Sequence, residues 1–67
     1  MKIIYYRIKW CLHSKNYKRE ICAEHNTDEH LLPRVGEYVC FDSQSMSYLV
    51  EKITYEFYKN TIEIRLK

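Results

Sequence analysis

Cys11, Cys22 and Cys40, together with His13, His25 and His30, are the side chains of this 67-residue chain that could hold a soft metal or act as nucleophile and base. Structural zinc takes four nitrogen or sulfur ligands in a tetrahedral array, and its mark in a sequence is a set of tight pairs such as Cys-x-x-Cys or Cys-x-x-His. Only Cys22 and His25 have that spacing. The others read as sheet and loop residues, and no metal or cofactor is assigned. Covalent catalysis needs a nucleophile, a base and an orienting group in one place. The chain holds each residue type but no motif that joins them, and with Gly36 as its single glycine it has no phosphate-cradling loop. A core this small also gives little wall for a cleft. The expectation is a protein that is not an enzyme.

Binding chemistry is better represented. Tyr5, Arg7 and Lys9 alternate along the first segment, and Tyr17, Lys18 and Arg19 follow in the next. Aromatic rings stack on bases or on a partner's side chains, and arginine pairs with phosphate or carboxylate. These six are the candidate ligand- or partner-binding residues. The alternative for the same residues is a solvated sheet face on which tyrosine fits the pleat. Ile3 and Leu49, read as outward-facing, would add apolar spots able to seed contact between copies. Charge is uneven: residues 1–19 hold six lysines and arginines and no acid, whereas residues 20–42 hold six acids and one arginine, for a net charge of +2. A dedicated duplex-DNA binder carries a larger excess, because phosphate neutralisation supplies most of its affinity. The basic segment is suited to a local anion.

The elements that must position these residues are strands. From 2 to 12 the period is two: Ile4, Tyr6, Ile8, Trp10 and Leu12 form one wholly apolar set, expected inward, with Ile3, Tyr5, Arg7, Lys9 and Cys11 outward. A polar turn at 13–16 leads to a return strand at 17–24 with Ile21 and Ala23 inward; a short helix is the alternative there. After a polar loop at 25–30 comes a corner, where Pro33 fixes its own φ and extends the residue before it, while Gly36 permits a positive φ. The strand 37–41 then points Val39 and Phe41 inward. Tyr48 and Val50 share one parity and Ile53, Tyr55 and Phe57 the other, which requires a bulge near Glu51-Lys52. A two-residue turn at Lys59-Asn60 would pair Phe57 with Ile62, Tyr55 with Ile64 and Ile53 with Leu66, setting Glu56 opposite Glu63. The sum is one all-β domain over 1–67, a small five-stranded antiparallel barrel or roll.

The run Pro33-Arg34-Val35-Gly36-Glu37-Tyr38-Val39, followed by Tyr48, Val50 and Ile53, resembles the turn-and-strand pattern of Src-homology-3-like small barrels, including KOW-like and Tudor-like variants. The likeness covers residues 32–66. It also extends to short uncharacterised proteins of phages and of bacteria such as Bacteroides. The resemblance implies a barrel used for binding. The expected function is a non-catalytic binding protein, an inhibitor or adaptor of the phage-encoded kind, acting on a host protein or sequestering a nucleotide-like anion. Two alternatives stand beside it: a barrel that binds single-stranded nucleic acid, and a structural component of a larger assembly. With an odd number of cysteines, no secretory signal and no apolar run long enough to span a bilayer, a cytoplasmic location is expected. A core of this size gains from self-association, so a homo-oligomer is among the expected forms.

Overall fold

The last strand decides which way the sheet faces. Thr61–Leu66 alternates Ile62, Ile64 and Leu66 with Thr61, Glu63 and Arg65, and a set that includes an acid and an arginine cannot be buried unpaired. Every strand beside it must match that choice. In the computed structural model, which describes residues 1–26, 32–43 and 46–67, the strands are β1 (Lys2–Cys11), β2 (Asn16–Asn26), β3 (Tyr38–Val39), β4 (Tyr48–Glu56) and β5 (Thr61–Leu66), with one turn of 3-10 helix at Phe57–Lys59. They form one curled all-β sheet, a half-barrel, in the order β2-β1-β5-β4-β3.

The sheet is mixed, not purely antiparallel as expected: β1 pairs with β5 in parallel, from Lys2↔Thr61 to Arg7↔Leu66. Five strands joined by four reversals leave the first and last pointing the same way, so closure of β5 onto β1 has to be parallel. That closure corrects the face of β1. Ile3 lies beside Ile62 and Tyr5 beside Ile64, and both Ile3 and Tyr5 are buried. The more apolar set, Ile4, Tyr6, Ile8, Trp10 and Leu12, takes the opposite face. Ile3 therefore belongs to the core and seeds no contact between copies, and Leu49 is half-buried.

Residues 17–24 are strand, antiparallel to β1. A bulge sets Tyr5 opposite Ala23 but Tyr6 opposite Ile21, with Cys22 as the extra residue. Ala23 thus faces the core as expected, while Ile21 is turned out and exposed.

The core joins Ile3, Tyr5, Val50, Ile62, Ile64 and Leu66, with Val39, Phe41, Tyr48 and Ile53 packed against it. Burying such side chains contributes about 1.5–3 kcal/mol each. The curl is visible in one contact: the rings of Tyr5 and Phe41 meet edge to face at 5.2 Å. Phe41 follows β3, which stands three strands from β1, and in a flat sheet that separation would be about 14 Å.

The corner is built as expected. Gly36 has φ +94°, Glu37 N–H donates to Arg34 O at 3.0 Å, and Gly36 N–H and Val50 N–H bond Val50 O and Glu37 O to tie the turn to β4. β3 is shorter than expected, two residues rather than five. The bulge in β4 falls at Glu51, between Val50↔Leu66 and Lys52↔Arg65.

The β4–β5 register differs from the expected one by two residues: Tyr55 pairs with Ile62, Ile53 with Ile64 and Glu56 with Thr61. A four-residue connection replaces the two-residue turn, closed by Asn60 N–H to Phe57 O at 3.1 Å with Asn60 left-handed at φ 51°. A slip of two keeps every side chain on its face. It also sets Thr54 opposite Glu63 and Glu56 opposite Thr61, with the Glu56 and Glu63 carboxyl groups still in hydrogen-bond contact, and leaves Phe57 and Tyr58 exposed.

Candidate functional site

β1 outruns β5. Its pairing with β5 ends at Arg7↔Leu66, whereas its pairing with β2 continues to Cys11↔Asn16. Residues 8–19 therefore form a two-stranded ribbon that projects beyond the rest of the sheet. A hairpin of this kind has no second layer to bury either face. Trp10 is 50% exposed, Tyr17 65% and Leu12 77%.

The six candidate residues divide between two faces and the core. Tyr5 is 3% exposed; its ring meets Phe41 and His25, and burial pushes its hydroxyl pKa up. It is a core residue, buried beneath the concave side. Arg7 is half-buried on the concave side, paired with Glu20 at 3.2 Å and set over the Tyr48 ring at 5.8 Å. The hydrogen bond and charge of Glu20 hold its guanidinium more firmly protonated than usual. Lys9 and Lys18 are direct cross-strand partners on the same side as Arg7. Tyr17 and Arg19 lie on the other, convex side. A single stripe is thus corrected to a lysine face and an aromatic face of one ribbon.

The aromatic face contains residues that the sequence reading placed in the core. Along it, cross-strand pairs Tyr6↔Ile21, Ile8↔Arg19 and Trp10↔Tyr17 succeed one another. The Trp10 and Tyr17 rings meet edge to face at 5.0 Å, and the Arg19 guanidinium lies over the Tyr6 ring at 4.2 Å while pairing with Glu63 of β5. A depression of about 390 Å³ on the ribbon is lined by Lys9, Trp10, Cys11, Leu12, Lys18, Arg19 and Glu20. A signal for this surface was available: β5 is five residues shorter than the alternating run 2–12, so the far end of that run has no neighbour to bury it.

The thiols and imidazoles are not gathered. Cys22 lies 3.9 Å from Glu20 O, Cys40 lies 3.0 Å from Ser47 Oγ, and Cys11 stands at the base of the ribbon turn; all three are free. Among the described residues no group of three or more His, Cys, Asp or Glu side chains is placed to hold a metal ion, and no helix is long and apolar enough to cross a membrane. His30 lies outside the described residues.

A second open groove, of about 470 Å³, runs on the concave side between Tyr5, His25, Pro33, Val39 and Phe41. Its lining is more apolar than polar and, among the described residues, holds no arginine or lysine. Comparison with protein-family models, with curated protein sequences and with solved structures returned no match to this chain.

Proposed function

We propose that this protein is a non-catalytic binding protein, an inhibitor or adaptor, whose contact surface is the ribbon of residues 8–19. The observation that carries this reading is the projection of the ribbon beyond β5 with Trp10, Leu12 and Tyr17 largely open to solvent. A large apolar ring costs free energy where water covers it, and exposed aromatics beside arginine are what interface centres are made of. The half-barrel then serves as a rigid base that holds one end of the ribbon. Ile64, within its core, is completely buried between β1 and β4. In this reading the protein works in the cytoplasm, where the free thiols of Cys11, Cys22 and Cys40 persist.

The test is capture from a cell extract on the immobilised full chain, in parallel with a Trp10→Ala/Tyr17→Ala variant. A partner retained by the wild type and lost from the variant is expected. Equal retention by both would put the contact elsewhere on the molecule.

A further inference from the structure

We infer that the ribbon takes a single-stranded nucleic acid, with the aromatic face stacking on bases and the lysines holding the phosphate backbone; this rests on the reading of the ribbon as the contact surface. Three observations point to a polyanion with exposed rings. From Arg7 to Arg19 the chain carries five lysines and arginines and no acid. Lys9 and Lys18 are directly opposed across the strands, and neither has an ion-pair partner among the described residues. Like charges in direct opposition are unfavourable, and a phosphate between them relieves the repulsion. On the other face Trp10 and Tyr17 present large rings to solvent, with Arg19 beside them.

The two faces can serve one strand. A two-stranded ribbon is narrow, strands being about 4.8 Å apart, and β2 is an edge of the sheet. A strand wrapped over that edge meets lysines on one side and rings on the other, and the depression bounded by Lys9, Trp10, Lys18 and Arg19 lies where they converge; Glu20, which also lines it, is paired with Arg7. Single strands fit better than duplex because bases must leave their stack to reach a ring. On the body, Glu51, Glu56 and Glu63 pair with Arg65, Lys59 and Arg19, and the net charge of the chain is only +2.

The experiment is fluorescence titration of the full chain with a 15-nucleotide oligothymidylate and its ribonucleotide counterpart, reading Trp10, which is the chain's one tryptophan. Binding is expected to quench Trp10. With three phosphate contacts, from Lys9, Lys15 and Lys18, affinity should fall roughly 20-fold between about 50 and 200 mM salt. Lys9→Gln/Lys18→Gln should weaken binding and lower the salt slope by about 1.4. Tyr17→Ala should weaken it about tenfold. All three positions are exposed, and circular dichroism checks that the variants fold.

No binding at the lowest salt overturns the proposal, as does duplex bound as tightly as single strand, or affinity indifferent to these substitutions. The reading beneath it is judged separately. If oligonucleotides fail but nuclease-treated extract still yields a partner lost from Trp10→Ala/Tyr17→Ala, the nucleic-acid proposal falls and the ribbon remains the contact surface. If neither assay responds to the ribbon, both fall.

Discussion

The two halves of β1 have the same alternating pattern and opposite fates. From Lys2 to Arg7 the strand is gripped on both edges, by β2 and β5, and its odd-numbered side chains Ile3 and Tyr5 enter the core. From Ile8 to Cys11 it has β2 alone, and neither parity is buried. A period of two therefore defines two faces but not an inside. The inside is conferred by a neighbour, and here the neighbour is β5, whose six residues end at Leu66.

The largest test of this contrast is at the centre of the gripped half. Ile64→Ala, at a position with no exposure, should cost about 2–5 kcal/mol. A core of this size supplies only about 3–5 kcal/mol in all, so urea denaturation should find the variant largely unfolded at room temperature. A folded variant with an unchanged midpoint would mean that β5 does not fix the sheet.

Gly36→Val comes next. The position has φ +94° with nothing near its hydrogen, so the penalty is conformational, about 1–2 kcal/mol for a side chain in the left-handed region. The urea midpoint should drop correspondingly without change in slope. In the ungripped half Trp10→Ala should cost about 1 kcal/mol or less, the worth of its edge-to-face pair with Tyr17. A loss as large as that of Ile64→Ala would show that the ribbon is packed after all.

The smallest effect separates two thiols by their settings. A hydrogen bond from the Ser14 side chain, then backbone bonds from Ser14 and His13 and the charge of Lys9, hold Cys11 below the ordinary cysteine pKa. Burial pushes the Cys22 thiol up, against the pull of Arg7. A lower pKa means more thiolate at neutral pH, so iodoacetamide should label Cys11 faster than Cys22 in a mass-resolved time course. Its rate should also begin to rise at a lower pH than that of a free cysteine. Equal rates would erase the distinction between the two settings.

Much of the architecture was legible because it rested on local chemistry. Gly36 is the single glycine, suited to a positive φ, and the parity change across Glu51 demands a bulge; both stand in the structure. What was not legible depended on which strand lies next to which. Choosing the face of β1 by counting apolar residues favoured Ile4, Tyr6, Ile8, Trp10 and Leu12, but β5 could offer only Ile62, Ile64 and Leu66 on its apolar side. The same choice conceals the aromatic face of the ribbon. Tyr17 and Arg19 read as surface residues, whereas parity places their cross-strand neighbours Trp10 and Ile8 in the interior and Tyr5 outside it. The β4–β5 register is open for a different reason: two registers two residues apart bury the same faces, and the four-residue connection closed by left-handed Asn60 chooses between them.

The extra residue at Cys22 has a consequence for how copies of this chain avoid one another. β2 is eleven residues long and, as an edge, offers a row of backbone donors and acceptors to any foreign strand. A straight visitor could align with Asn16–Ile21 or with Ala23–Asn26, but the phase changes at Cys22, so no single flat strand can follow the whole row. A long bare edge is thereby divided into two short ones, and the template for fibrillar growth is broken at its middle.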